Sequence, residues 1–285
     1  MLAEHLPRPG GSGRMGRTAS GDGSGTPLPV EHRIIYEQPL NERIRVFLRL
    51  EFLFQQMRHH LGGTSSWDSR AALATLLEML SIFSRSDLKT EVIKELDRHT
   101  ANLARLGDNP EVDTTQLSGL LDEIDAIIDE LHGLTGPVAA ALKENEFLAS
   151  IQQRSAIPGG TCDFDLPAYH YWLQLPAEDR MRDLAGWLEH FDVLGRGIRL
   201  ILRLTRQSTL FRPQRAEGGF YQRSLDTQAP CQMVRIALPA GSPWFAEISG
   251  GRHRFSVRFL GMRNANERAA QTSEDVDFEL ACCII

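Results

Sequence analysis

Apolar residues recur at helical spacing along the chain from residue 43 to residue 207. Residues 43–60 are strongly apolar, which predicts a mostly buried helix; the apolar residues include Ile44, Phe47, Leu48, Leu50, Phe54 and Met57. Residues 69–84 repeat apolar side chains at positions i, i+3, i+4 and i+7, the stripe of an amphipathic helix. Capping residues predict the start of two further helices, one capped by Ser86 and beginning near Leu88, and one running from Asp113 to Leu131. Further apolar residues at helical spacing predict helices over residues 138–153 and around Met181–Leu188 and Ile198–Leu204.

After about Gln207 the pattern changes to short alternating runs separated by Gly, Pro and Asn, which is typical of β-strands. No helix separates these runs, so we expect antiparallel pairing. A short strand is also predicted at residues 33–37. The runs after residue 207 are Gly218–Tyr221, Met233–Leu238, Trp244–Ile248, His253–Leu260 and Val276–Ala281.

These patterns predict an α+β protein, in which a mainly α-helical domain packs with a smaller antiparallel β-domain. The helical domain is assigned to residues 43–207, and the β-domain to residues 32–42 and 208–285. Residues 1–31 are rich in Gly, Pro and Ser, and we expect a flexible N-terminal extension because so few apolar residues cannot offset the entropy of ordering.

Composition narrows the class of function. The net charge of −6 and the pI of about 5.9 disfavour a nucleic-acid binder, which normally carries a basic surplus. No apolar run reaches the roughly 20 residues of a membrane helix. The first 20 residues lack the apolar centre of a signal peptide, so we expect a cytoplasmic protein without membrane insertion. The four cysteines form no CxxC pair and are expected to be reduced thiols.

Candidate catalytic chemistry is sparse. Cys162, Asp163, Asp165 and His170 lie close together in sequence, but their spacing matches no standard metal site. The alternative is that Asp165 caps a helix beginning near Pro167. Glu95 and His99 lie one helical turn apart, and we interpret them as a solvent-facing pair. Neither group of residues has a third side chain that converges on the same point, as a catalytic site needs. We therefore predict that the protein is not an enzyme and has no cofactor.

The segment GGRHRFSVRFL near the C-terminus has the most distinctive pattern. Side chains of a strand alternate between its two faces, which predicts one polar and one apolar face. Two interpretations of the polar face remain equally open. Its arginines bind an anionic partner, or they protect an exposed edge strand from aggregation. Arg252, Arg254, Ser256 and Arg258 share the polar face, whereas His253, Phe255, Val257 and Phe259 share the face that can pack on a core.

Six stretches of the chain are distinctive, in order: YEQPLNERIRVFLRLEFL, TEVIKELDRH, SAIPGGTCDFDLPAYHYWL, LTRQST, EISGGRHRFSVRF and DFELACC. Through these stretches, from about Ile34 to Cys283, the chain resembles the ZapD family of FtsZ-associated cell-division proteins. The N-terminal extension, the loop of residues 261–273 and the two final isoleucines depart from the family pattern.

The resemblance implies a cytosolic bacterial homodimer that binds the C-terminal tail of FtsZ and cross-links FtsZ filaments at the division septum at midcell. It also implies a basic tail-binding pocket that matches Arg254, Arg258 and Arg85, with Arg252 at a position that is basic in relatives too. Two other classes stay open: a metal-assisted enzyme that uses Cys162, Asp165 and His170, and a binder of single-stranded nucleic acid.

Overall fold

The computed structural model describes residues 33–284 apart from residues 85–86, 106, 108–111, 137, 227 and 263. The predicted extension lies outside the described residues. Within them the chain has an α+β fold of nine helices and two small antiparallel sheets, as the sequence predicts. The helices are α1 Glu42–Leu61, α2 Ser66–Phe83, α3 Leu88–Ala104, α4 Thr114–Gly133, α5 Ala140–Lys143, α6 Glu146–Ser155, α7 Pro167–Gln174, α8 Ala177–Glu189 and α9 Asp192–Gln207.

Side-chain caps fix the start of several of these helices. The Asn41 side chain accepts a hydrogen bond from the backbone N–H of Ile44, the third residue of α1. Asp113 does the same for two backbone N–H groups at the start of α4, which confirms the predicted cap. For α3 the cap is Asp87, whose carboxylate accepts from the Thr90 N–H. The predicted cap Ser86 lies outside the described residues.

Two helix predictions need correction. The segment predicted as one helix over residues 138–153 is two helices, α5 and α6, because the Asn145 side chain accepts a hydrogen bond from the Leu148 N–H and begins a new helix there. Asp165 does not cap α7. The residue preceding that helix is Leu166, with no side-chain cap, and Pro167 occupies the first turn.

The strands form two four-stranded sheets that pack face to face. Sheet A has the order β1-β4-β8-β2. Sheet B has the order β3-β6-β5, and its fourth strand, β7, pairs with the end of β6 on the same side as β3. The inner faces bury a shared apolar core, in which the rings of Phe259 and Phe278 lie 5.0 Å apart. The strands are β1 Arg33–Pro39, β2 Arg212–Ala216, β3 Phe220–Ser224, β4 Cys231–Pro239, β5 Trp244–Gly250, β6 Arg254–Gly261, β7 Ala270–Gln271 and β8 Val276–Ile284.

The apolar pattern of the sequence does not predict β2 or β7. The strand β2 has the sequence RPQRA, whose two arginines lie exposed at the edge of sheet A and which gives no alternating apolar signal. The strand β7 has only two residues. Both are short edge elements, whose pairing depends on the strand beside them more than on their own sequence.

A cluster of four charged residues joins the helices to sheet A. Arg206 of α9 binds the carboxylates of Glu37 on β1 and Glu51 on α1, with N–O distances of 2.7–2.9 Å. Arg235 of β4 donates to the same Glu37 carboxylate at 2.9 Å. Because the four residues come from two helices and two strands, this cluster fixes sheet A against α1 and α9.

The interpretation of Glu95 and His99 as solvent-facing is wrong. Only 1% of Glu95 and 3% of His99 is exposed, because this face of α3 packs inside the helical bundle. Glu95 forms ion pairs with Arg43 and Arg98. Burial, with a smaller contribution from the charge of Arg98, lowers the pKa of His99 from 6.5 to about 4. His99 is therefore neutral at pH 7.

Acid is expected to destabilise the protein through His99. Because the folded-state pKa of His99 is lowered, the neutral imidazole stabilises the fold above pH 6.5, and this contribution is lost as pH falls towards 4. The loss between pH 7 and pH 5 should be about 2 kcal/mol. Urea unfolding at the two pH values would show a smaller pH effect in His99→Gln than in wild type. The same substitution at exposed His59 should retain the full effect; equal pH effects in all three proteins would contradict this assignment.

Candidate protein-binding site

The outer face of β6 carries two of the three arginines that strand alternation predicts on one face. Arg254 and Arg258 are exposed, with the half-buried Ser256 between them. Phe255, Val257 and Phe259 alternate with them and are at most 1% exposed, because they pack between the two sheets. The predicted alternation is therefore confirmed from Arg254 to Phe259.

The alternation does not extend to the two residues before the strand. Gly250 pairs with Phe255, and the Gly251 N–H donates to the Arg254 carbonyl at 3.0 Å, which closes a hairpin between β5 and β6. Arg252 and His253 form its two-residue turn. The prediction that His253 faces a core is wrong, since the imidazole is exposed at this turn. Arg252 is also exposed, at the tip of the hairpin and not on the strand.

Strand pairing arranges the outer face of sheet B in rows. Arg258 lies between Phe220 of β3 and Glu247 of β5. Its guanidinium donates to the Glu247 carboxylate through one Nη2–Oε2 contact. Two residues along, Ser256 lies between Gln222 of β3 and Ser249 of β5, so the middle row is polar and uncharged.

Arg254 occupies the third row, opposite Ser224, at the hairpin end of the sheet. Among the residues that the structure describes, no carboxylate forms an ion pair with Arg254. A cavity of about 470 Å³ opens beside it, and its lining combines small residues with the cationic side chains of the hairpin. The cavity lining includes Ser249, Gly251, Arg252, Arg254 and Ser256.

These groups can bind an anionic peptide. Guanidinium groups donate forked hydrogen bonds to carboxylates, and serine hydroxyls and glycine backbone groups can bind a peptide main chain. The face is positively charged although the whole chain has a net charge of −6, because among the described residues paired across strands with Arg254 and Arg258 the acidic one is Glu247. We name Arg252, Arg254, Ser256 and Arg258 with the cavity beside Arg254 the arginine face.

The fourth predicted site residue, Arg85, lies outside the described residues. The helix α2 that precedes it ends at Phe83, and the description resumes at Asp87, the cap of α3. A shared pocket of Arg85 with the arginine face therefore stays a prediction.

The residues of the metal hypothesis fall into two separate pairs. His170 Nδ1 lies 3.0 Å from Asp163, which also binds Arg70 at 3.2 Å. The Cys162 thiol donates to Asp165 at 3.3 Å. Across residues 33–284, outside the gaps given above, no three His, Cys, Asp or Glu side chains converge as metal ligands.

Sequence reasoning missed Glu247, Ser249 and Gln222 as cross-strand neighbours of the arginine face. Each belongs to a different strand from the arginines, and its position depends on the pairing register. The alternation of residues 244–248 indicates which side chains share a face, but it does not indicate that Glu247 lies opposite Arg258.

Comparison with known proteins identifies close relatives. The sequence pattern of the family described as "ZapD: Cell division protein" matches residues 48–258. The chain is 46% identical to the cell division protein ZapD of Methylococcus capsulatus, over 90% of this chain and 100% of the relative. It is 40% identical to the protein of that name from Coxiella burnetii, with the same coverage of both chains. For Aromatoleum aromaticum the identity is 39%, over 88% of this chain and 97% of the relative.

These relatives and the family are described by a role in cell division and not by a catalysed reaction. In the described part of the chain, no helix is long and apolar enough to cross a membrane.

Proposed function

Because the chain belongs to the ZapD family of cell division proteins, we propose that it binds the C-terminal tail of FtsZ through the arginine face. The site of action is the cytoplasmic side of the division septum at midcell. The resemblance in sequence supports the choice of this partner, and the geometry of sheet B is compatible with binding of an anionic peptide.

The exposed pair of Arg254 and Arg258 on one strand is the observation that carries the proposal. The two side chains project from the same face, four residues apart, which is about 13 Å along a strand. Their apolar neighbours anchor the strand in the core, so the guanidinium groups are presented on a rigid support. The strand backbone that carries the two arginines needs no ordering on binding, and the planar guanidinium fork limits the freedom lost per hydrogen bond, which favours recognition of a flexible acidic segment.

Bundling requires two such sites in one particle. A monomer with one site would decorate a filament, whereas a homodimer can join two filaments. Each filament offers many tails, so weak single contacts add up to stable bundles through avidity. We therefore propose that the protein is a homodimer and that dimers cross-link FtsZ filaments.

Co-sedimentation with assembled FtsZ tests this function. We expect the wild-type protein to pellet with FtsZ filaments, to raise their light scattering, and to elute as a dimer at micromolar concentration. FtsZ lacking its C-terminal tail is the matched control and should assemble without recruiting the protein. A monomer at micromolar concentration, or equal pelleting with tail-less FtsZ, would contradict the proposal.

The same face fits single-stranded nucleic acid poorly. Such binders stack bases on exposed aromatic side chains. Phe255 and Phe259 are buried, and among the described residues of this face the exposed aromatic ring is that of Phe220. The metal-assisted enzyme is also disfavoured, since its candidate ligands contact each other in two separate pairs, and the two aspartates also pair with nearby arginines.

A further inference from the structure

We propose that Glu247 is an internal competitor for the ligand of the arginine face, so that Arg258 is available to a ligand carboxylate only when Glu247 is displaced. This inference rests on the proposed function and deepens it by assigning a residue that limits affinity for the tail. It follows from the pairing of β5 with β6.

Register places the two charges side by side. Glu247 lies directly opposite Arg258 in the antiparallel pair, and both side chains are about half exposed on the outer face. The carboxylate therefore occupies the position that a ligand carboxylate would take beside Arg258. Directly opposed ions on one sheet face attract each other, so the pair is the resting arrangement of Arg258.

The contact is weak enough to be replaced. It uses one guanidinium nitrogen and one carboxylate oxygen, and leaves the other donors of Arg258 without a described acceptor. A ligand carboxylate that binds in the forked arrangement would use two donors and displace Glu247. An acid that approaches with a single oxygen gains nothing over Glu247. The pair thereby selects ligands that present a well-oriented carboxylate.

The two arginines of β6 are consequently unequal. Arg254 has no acidic partner among the described residues of sheet B, and it lines the cavity at the hairpin. Arg254 is thus the first contact for an anionic segment, and Arg258 adds a second contact after Glu247 has moved. The order follows from the availability of the charges and not from burial, because both residues are exposed.

Calorimetry with a synthetic peptide of the FtsZ C-terminal tail tests the competition. Glu247→Gln removes the charge and keeps the shape of the side chain. Since an exposed ion pair contributes up to about 1 kcal/mol, we expect the variant to bind the peptide about two- to fivefold more tightly than wild type. The gain should shrink at high salt, which already screens the pair.

Asp277→Asn is the matched control. Asp277 of β8 lies opposite Arg215 of β2 in sheet A, an exposed cross-strand pair of the same kind and charge. Its removal changes the net charge equally and should leave affinity within about 1.5-fold of wild type, because the pair lies on the other sheet. A similar gain in both variants would overturn the competition and indicate a general charge effect.

Unchanged or weaker binding by Glu247→Gln would also overturn the inference, and weaker binding would show that Glu247 positions Arg258 for the ligand. Circular dichroism confirms that each variant is folded. If the wild-type protein itself does not bind the tail peptide, the proposed function fails, and this result is distinct from failure of the competition.

Discussion

Replacement of Arg254 or Arg258 by glutamate is expected to abolish binding to the FtsZ tail. Each substitution removes a guanidinium donor and places a carboxylate where the anionic peptide must approach. Loss of one partner of a hydrogen-bonded charge pair that becomes buried in the complex weakens binding by at least about 2 kcal/mol, which corresponds to roughly 30-fold in affinity. Reversal of the charge adds repulsion, so we expect no measurable binding of the peptide at micromolar concentration.

The variants should remain folded, because the apolar face of β6 is unchanged and both arginine side chains are exposed. Arg254→Lys keeps the charge but loses the planar fork, so its affinity should lie between wild type and Arg254→Glu. Arg212→Glu is the matched control, since Arg212 is an exposed arginine on β2 of sheet A. Calorimetry at two salt concentrations gives the affinities, and wild-type binding by Arg254→Glu and Arg258→Glu would show that the tail binds elsewhere.

Arg85→Glu extends this prediction to the helical part of the chain. We expect it to weaken tail binding as the β6 variants do. Arg85 lies about 170 positions before β6 in sequence, and a common effect would support one pocket formed by both parts. Normal tail binding by Arg85→Glu would remove Arg85 from the site without affecting the assignment of Arg254 and Arg258.

Replacement of Arg206 by alanine is expected to lower the free energy of unfolding by about 3 kcal/mol. Arg206 makes forked contacts with both Glu37 and Glu51, and the carboxylate side chains are only 20% and 15% exposed. Removal of one partner of a buried ion pair leaves a buried charge without compensation. We expect the loss of stability to lie at the low end of the range for buried ion pairs, because the cluster is partly hydrated.

Urea unfolding of Arg206→Ala and Arg203→Ala measures this effect with a control from the same helix. Arg203 of α9 pairs with Glu123 at the surface, with both side chains about half exposed, so its loss should change stability by less than about 1 kcal/mol. Equal losses of stability in the two variants would show that the cluster of Arg206 is not a structural junction.

The cluster also predicts acid sensitivity. Burial alone would raise the pKa of Glu37, but hydrogen bonds and charge attraction from Arg206 and then Arg235 outweigh it and hold the pKa below 4.5. A lowered carboxylate pKa stabilises the fold above pH 4.5, and this contribution is lost as pH falls through the folded-state pKa. In Arg206→Ala the opposing attraction is weaker, so unfolding by acid should begin at a higher pH.

Local sequence patterns were sufficient to predict the helices and strands whose own side chains pack into a core. The helices α1, α2, α4 and α9 and the strands β4, β5, β6 and β8 each carry a strong apolar periodicity, and all are present. The polar and apolar faces of β6 could likewise be assigned from alternation, because a strand has only two faces. The family resemblance depended on motifs spread along the chain, which the sequence alone contains.

Edge strands and buried polar residues could not be assigned in this way. The strand β2 pairs with β8 although its own sequence is polar, and Glu95 and His99 are buried although their spacing resembles that of a surface pair. In each case the surroundings of the residue come from distant segments. Polar character alone does not distinguish a solvated side chain from one that is buried with a partner.

The sequence by itself determined the α+β class, the family and the two outward arginines of β6, because periodicity, motifs and strand alternation are properties of neighbouring residues. The tertiary structure alone decided that Glu247 lies opposite Arg258, that Arg252 is in a turn, and that Arg206 joins α1, α9 and sheet A. Strand register and helix packing are set by the combined burial of many side chains, so no local pattern specifies which distant charges meet.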